Sequence, residues 1–174
     1  MMNIPLDPVL RRVSVRRYKP DPVPADKLER LLKAAMSAPS AHDTRPWRFL
    51  VIDERPLLDR ITQVHRYAQM LSQAPMAIMV LGDLKAQAEE GFWVQDCAAA
   101  TENILIEAVS QGLGTCWVGL HPIAERAGAL RELFSIPPGI EPFCLIAVGY
   151  PAEEKEPPSD RYDPKKIHRN RWPS

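Results

Sequence analysis

Two arginines and a serine near the start of the chain have the spacing of an anion-binding motif. Arg12, Ser14 and Arg16 occupy alternate positions, with Val13 between the first two. An extended backbone would direct all three polar side chains to one side. Guanidinium groups bind phosphate and other planar anions through charge-assisted hydrogen bonds. The motif therefore predicts an anion receptor, and the alternative is a solvated basic stretch.

A proline-containing loop is a second candidate site. Pro39, Ser40 and Ala41 lie in segment 38–47, which leaves a predicted helix and enters a predicted strand. Such a loop presents backbone N–H and C=O groups that can bind the edge of a heterocycle, and an ordinary connector is the alternative. His42 and Asp43 could suggest a catalytic dyad, but the sequence contains no Gly-x-Ser-x-Gly motif to supply a nucleophile. Hydrolase chemistry is therefore not expected.

Two further segments lie later in the chain. Glycines flank a short apolar stretch at 112–119, and Gly119 would let a flat ligand approach the backbone closely. This is not a G-x-G-x-x-G fingerprint, and a helix C-cap followed by a strand end is the alternative. The tail carries Arg161 and a basic stretch at 165–171 with apolar residues for packing, and a disordered basic end is the alternative.

Composition restricts the classes of function. The 174 residues contain 22 Lys plus Arg and 22 Asp plus Glu, and this balance argues against non-specific binding to nucleic acid or anionic membranes. We find no apolar run long enough for a membrane span and no signal peptide at the start. The lack of both features predicts a cytoplasmic location. Three cysteines in apolar surroundings indicate reduced thiols in the core rather than disulfides. The histidine spacings do not predict a metal site.

Hydrophobic periodicity predicts the elements that must position these segments. Helices are expected at 24–38, 56–72 (in two pieces), 89–111 and 122–134, and strands at 47–52, 76–81, 115–118 and 143–148. Uneven alternation of helices and strands favours an α+β fold, with helices covering a small mixed sheet. The helix at 89–111 is apolar nearly all round, so it is either central in the core or shared with a partner subunit. One domain over residues 1–174 is expected, with extended proline-rich arms at about 1–24 and 150–174.

The order of these motifs resembles the nitroreductase family of FMN-dependent oxidoreductases. Arg-x-Ser-x-Arg comes first, Ala-Pro-Ser-Ala-x-x-x-x-Pro-Trp second, a long central helix third, Gly-Leu-Gly-Thr-Cys-Trp-Val-Gly fourth, and Val-Gly-Tyr-Pro with a late arginine last. The resemblance covers the chain from about Leu10 to Arg161. It implies a three-layer α/β/α fold and a homodimer with FMN bound in two sites at the subunit interface.

The resemblance also implies a set of cofactor-binding residues. Arg12 would face the phosphate with the late Arg161, and Arg16 would lie nearer the pyrimidine end of the flavin. The other subunit would supply the loop, and a backbone N–H of the strand would reach N5. The full set is Arg12, Val13, Ser14, Arg16, Pro39, Ser40, Ala41, Arg45, Cys116, Trp117, Val118, Gly119 and Arg161.

Two residues depart from the family pattern. Asp43 stands where Asn is usual, and Arg45 stands where Gln is usual. Asp43 loses an amide donor, which puts its flavin contact in doubt. Arg45 adds a charge that could alter the choice of substrate or pair with Asp43.

The activity that the resemblance implies is hydride transfer from NADH or NADPH, through FMN, to a nitroaromatic or quinone-type small molecule. No side-chain acid or base is required for this chemistry, which agrees with the lack of a conventional catalytic constellation in the sequence. Two alternatives stay open. One is a module that stores FMN or senses redox state without turnover, and the other is a specialised relative that dehalogenates or fragments flavin.

Overall fold

A four-stranded sheet occupies the middle of the molecule. The computed structural model describes residues 7–157 and 161–172, so residues 1–6, 158–160 and 173–174 of the two predicted arms lie outside the described residues. The strands lie in the order β1-β2-β4-β3, and every neighbouring pair is antiparallel. They are β1 (Trp47–Ile52), β2 (Met76–Asp83), β3 (Gly114–Gly119) and β4 (Ile140–Gly149).

Helices cover both faces of this sheet and make three layers. One face packs against the second and fourth helices, and the other packs against the third and fifth. This arrangement confirms the three-layer α/β/α architecture. The α-helices are α1 (Pro8–Arg11), α2 (Ala25–Met36), α3 (Arg55–Val64), α4 (Phe92–Ser110) and α5 (Ala124–Leu133). Short 3-10 turns cover 41–43, 69–72 and 164–166, and the second of these is the expected second piece of the segment 56–72.

Strand β2 shows why its sequence is a continuous apolar run. Ile78 and Val80 belong to the core against α2 and α4, whereas Met79 belongs to the core against α3 and α5. Both faces of the strand are therefore buried, which is typical of a strand with a continuous apolar sequence. The strand extends beyond its predicted end at residue 81 and includes Gly82 and Asp83. Gly82 pairs with Trp47 of β1, and the ring of Trp93 fills the space that a side chain at position 82 would need.

Helix α4 is central in the core. Eight of its residues are buried, which explains its apolar circumference. It is tied to α2 by a hydrogen bond from Asn103 Nδ2 to the Ala34 carbonyl oxygen, at 2.9 Å, and by an ion pair between Arg30 and Glu107. The same helix also contacts both the N-terminal arm and the loop at 39–45, so it positions two of the predicted binding segments.

The N-terminal arm follows the outer edge of β3. Ser14 forms a parallel bridge with Thr115, and the Val15 N–H donates to the Thr115 carbonyl oxygen at 2.9 Å. Among the described residues, parallel pairing is confined to this isolated bridge, so the four-stranded sheet itself is antiparallel and not mixed as predicted. Farther along the arm, the Lys19 N–H donates to the Tyr150 carbonyl oxygen. The arm is thus paired with the sheet along 14–19, whereas Pro8–Arg11 of the same predicted arm is helical and not extended.

The three cysteines are free and buried, as expected from their apolar neighbourhoods. Burial raises the pKa of Cys97 to about 12, and burial likewise raises the pKa of Cys144 to about 12. The pKa of Cys116 is also raised, because burial outweighs the opposing charges of Arg16 and Lys155. All three side chains are thus neutral thiols at physiological pH.

No helix within residues 7–157 and 161–172 combines the length and apolarity needed to cross a membrane.

Candidate functional site

An open cavity lies at the edge of the sheet and joins two of the predicted segments. Its volume is about 350 Å³, and Arg16, Tyr67, Met70 and Arg126 line it together with the strand segment Cys116–Gly119. We call it the strand-edge cavity. The N-terminal arm covers β3 only as far as Thr115, and the rest of this outer edge has no strand partner among the described residues. The structure therefore brings Arg16 and 116–119 to one place.

The polar residues of the arm alternate with the buried Val15, but Arg12 and Arg16 do not meet on one side as predicted, because Arg12 contacts α4 and Arg16 lines the strand-edge cavity. Val15 is buried in the core, whereas Ser14 is half-buried and Arg16 is exposed. Arg12 is half-buried, and its Nε lies 3.5 Å from Glu102 Oε1 on α4. The two arginines thus flank the bridge at Ser14, one toward α4 and the other toward the strand-edge cavity.

The loop at 39–45 is held by a buried carboxylate. Asp96 of α4 is 4% exposed, and its Oδ1 accepts a hydrogen bond of 3.0 Å from the Ala41 N–H. Ser40 Oγ accepts from the Arg45 N–H at 2.9 Å. Three residues adopt left-handed backbone, with φ of 51° at His42, 55° at Asp43 and 49° at Arg45. Such conformations are costly outside glycine, so this conformation depends on the surrounding contacts.

Arg45 and Asp43 form an ion pair. Both the Nε and the terminal nitrogen of Arg45 donate to the two oxygens of Asp43. The hydrogen bond from Arg45 holds the pKa of the Asp43 carboxyl below its usual range. The pairing considered from the sequence is therefore confirmed, and Arg45 neutralises the charge of the Asp43 carboxylate.

The remaining predicted residues do not line the strand-edge cavity of their own chain among the described residues. Pro39, Ser40 and Ala41 lie in the loop against α4, and Arg161 lies in the exposed tail. Several large apolar side chains of the tail are exposed to solvent, and they are Tyr162, Ile167 and Trp172.

The strand segment 116–119 has the open backbone that a flat ligand requires. A Cβ built on Gly119 would meet no atom within 4 Å, whereas one on Gly114 would lie 2.8 Å from Val15 Cγ2. Trp117 packs edge-on against Phe143, with ring centroids 5.6 Å apart, and so stiffens the strand. An uncovered strand edge beside a guanidinium group fits a planar ring that carries or gains negative charge.

Sequence reasoning missed the residues on the far side of this cavity. Tyr67 and Met70 follow α3, and Arg126 lies on α5. The guanidinium carbon of Arg126 lies 4.8 Å from the centroid of the Tyr67 ring. These residues carry no motif and are far apart in sequence, so no local pattern could have grouped them.

Comparisons with known proteins identify the family that this chain matches. The profile of the Nitroreductase family matches residues 9–66 and 59–150. A relative from Methanothermobacter thermautotrophicus, provisionally named NADH dehydrogenase/NAD(P)H nitroreductase, is 44% identical over 96% of this chain and 87% of its own length.

Solved structures extend the agreement to the fold. An FMN-dependent nitroreductase from Clostridium difficile is 31% identical, with a TM-score of 0.88 over 96% of this chain and 99% of that chain. A protein provisionally named nitroreductase, solved in complex with FMN, comes from Desulfovibrio desulfuricans. It is 29% identical, with a TM-score of 0.86 over 99% of this chain and 100% of that chain. The chain therefore belongs to the nitroreductase family.

Proposed function

We propose that this protein is an FMN-dependent oxidoreductase that oxidises NADH or NADPH and reduces nitroaromatic or quinone-type acceptors. The main support is the strand-edge cavity, which sets Arg16 against the uncovered backbone of 116–119. The names of its relatives, which include nitroreductase and NADH dehydrogenase, support the same chemistry.

The residues of this chain would hold FMN as follows. The backbone of Trp117, Val118 and Gly119 would lie along the ring, Arg16 would bind its pyrimidine end, and Arg12 with Arg161 would bind the phosphate. FMN, when bound, supplies the ability to accept a hydride from the nicotinamide and to deliver two electrons to the acceptor. Arg16 is exposed and forms no ion pair within residues 7–157 and 161–172. Its charge would stabilise the negative charge that the bound ring gains.

The direct test is the visible spectrum of the purified protein, with the released cofactor identified by mass. Oxidation of NADH and NADPH is then followed with menadione or nitrofurazone as acceptor. We expect bound FMN and acceptor-dependent turnover. Colourless protein would reject the flavin site, and FMN that stays oxidised with both nicotinamides would reject the oxidoreductase.

A homodimer is part of the proposal. The loop at 39–45 and Arg161 do not line the strand-edge cavity of their own chain, so a second copy would have to supply the loop. Exposed apolar residues on α1, α2 and the tail are available for such contacts, and they include Val9, Leu10, Met36 and Trp172.

Dilution is expected to release FMN as the dimer dissociates, because each cofactor would be bound by two chains. Size-exclusion chromatography with light scattering, read with flavin absorbance over a range of protein concentrations, measures both events together. Monomers that keep a full complement of FMN would contradict the shared site.

A cytoplasmic location also belongs to the proposal. Its support is the state of the three cysteines, which are free and buried rather than paired. This is the usage typical of a reducing compartment.

Gly119→Leu is expected to reduce FMN affinity by about tenfold or more, because a side chain there would obstruct the ring's approach to the strand. The free energy of unfolding should change little, since a Cβ at this position meets no atom within 4 Å. Fluorescence titration with FMN and thermal melting of the cofactor-free protein measure the two effects separately.

Gly128→Leu is the matched control. Gly128 lies on α5, has the same open space around its built Cβ and does not line the strand-edge cavity. Equal loss of FMN affinity in both variants, or none in Gly119→Leu, would contradict the assignment of the strand.

A further inference from the structure

One tyrosine ring lies against two guanidinium groups at the mouth of the strand-edge cavity. The guanidinium carbons of Arg66 and Arg126 lie 4.5 and 4.8 Å from the centroid of the Tyr67 ring, which is half exposed. We call these three residues the arginine–tyrosine stack. The ring fixes both cations by cation–π attraction and reduces the conformational freedom that an anion would otherwise have to restrict.

Neither arginine of the stack forms an ion pair with any carboxylate of the described chain. Other surface arginines do, as Arg48 does with Asp83 at 2.8 Å. Two like charges held on one ring repel each other, and an anion bound between them would relieve that repulsion.

The stack lies between two cavities. Tyr67 and Arg126 line the strand-edge cavity. Arg66 and Arg126 also line a second cavity of about 600 Å³ between the end of α3 and the start of α5, which we call the α3–α5 cleft. Arg126 is thus common to both cavities, and a ligand that occupied both would have to pass it.

The charge of the cleft favours an anion. The described residues that line the cleft include two arginines, Arg66 and Arg126, and one acidic residue, Glu125. His65 also lines the cleft, but burial lowers the pKa of this histidine. Neither ring nitrogen of His65 has a hydrogen-bond partner among the described residues. His65 is therefore neutral at pH 7, and the positive charge is concentrated on the two arginines of the stack.

We infer that the arginine–tyrosine stack binds the pyrophosphate of the reduced nicotinamide dinucleotide, with the adenosine end in the α3–α5 cleft. This rests on the proposed function, which places the FMN ring at the strand-edge cavity, so that the nicotinamide must reach the ring there. In the dinucleotide the pyrophosphate joins the nicotinamide half to the adenosine half, and the stack likewise separates the two cavities. A guanidinium group can donate two parallel hydrogen bonds to the oxygens of one phosphate, whereas adenosine carries no anionic group for it to bind.

Calorimetric titration of the FMN-loaded protein with ADP-ribose and with adenosine tests the inference without turnover. ADP-ribose carries the pyrophosphate, and adenosine lacks it. Arg126→Gln and Arg66→Gln are each expected to weaken ADP-ribose by about tenfold and to leave adenosine unchanged, as loss of one charge-assisted contact predicts. Arg60→Gln is the matched control, since Arg60 is exposed on α3 and lines neither cavity.

Flavin reduction under anaerobic conditions gives a second measurement. The apparent Kd for NADH should rise about tenfold in the two stack variants. The rate with uncharged 1-benzyl-1,4-dihydronicotinamide should not change in Arg66→Gln, because Arg66 does not line the strand-edge cavity. Added salt should weaken NADH binding to the native protein more than to the double variant.

The outcomes separate this inference from the proposed function. Unchanged affinity for ADP-ribose, equal loss for adenosine, or loss of FMN from the stack variants would each overturn the pyrophosphate site. Flavin that neither dihydronicotinamide reduces would instead overturn the oxidoreductase, and the ADP-ribose titration would still decide whether the stack binds a pyrophosphate.

Discussion

Replacing both Arg12 and Arg161 with alanine is expected to weaken FMN binding by about a hundredfold or more. Each charge-assisted hydrogen bond to the phosphate contributes about 1.5–3 kcal/mol, and about 1.4 kcal/mol corresponds to a tenfold change in Kd. The exposure of Arg161 places its contribution at the lower end. Fluorescence titration of cofactor-free protein with FMN, compared with riboflavin, measures the effect. Riboflavin lacks the phosphate, so its affinity should not change.

Arg30 supplies a matched control, because it also pairs with a glutamate of α4. Arg12 lies 3.5 Å from Glu102 of α4, and Arg30 lies 2.8 Å from Glu107 farther along that helix. Arg30→Ala therefore removes an arginine–glutamate pair without touching the proposed site. A double variant with native affinity for FMN would reject the phosphate role, and so would an equal loss in Arg30→Ala.

Ile104→Ala is expected to lower the free energy of unfolding by about 2–5 kcal/mol. Ile104 is fully buried at the centre of α4, and its removal leaves a cavity between that helix and the sheet. Because α4 also carries Asp96 and Glu102, which contact the loop and the arm, part of the FMN affinity should be lost as well. Urea unfolding of cofactor-free protein at one fixed protein concentration measures the stability.

Val64→Ala is the control for this substitution. Val64 ends α3 with 46% of its surface exposed, so its truncation should change stability by no more than about 0.5 kcal/mol. Similar losses for the two variants would mean that α4 is not the central packing element of the fold.

The elements of the fold could be predicted because each long segment has one dominant hydrophobic period. The strand 47–52 was predicted with the bounds that the structure has, and the expected helix 89–111 is three residues longer at its start than the observed Phe92–Ser110. Glycine was a less reliable signal. Gly112 follows the C-cap of α4 with φ of 71°, whereas Gly82 lies inside β2, where the Trp93 ring needs the space that a side chain would take. That need arises from tertiary packing and is not visible in the local sequence.

The candidate site could be predicted only in part. The motif at 12–16 and the stretch 116–119 were expected to act on one ligand, and the structure brings Arg16 to that strand. The pairing of Arg12 with Glu102 was not predicted, because no local sequence feature shows which distant arginine a glutamate on a helix surface will contact. The same reason applies to Tyr67 and Arg126, which meet only after α3 and α5 pack on the same face of the sheet.

The burial of the three thiols has a consequence for the protein's durability. Enzymes that pass electrons from nicotinamides can also pass them to dioxygen, and the resulting hydrogen peroxide attacks thiolates far faster than thiols. Cys116 lines the strand-edge cavity, yet burial raises its pKa above the usual value. Burial also raises the pKa of Cys97 and that of Cys144 to about 12. The chain therefore resists oxidation by the by-product that its own proposed chemistry would generate.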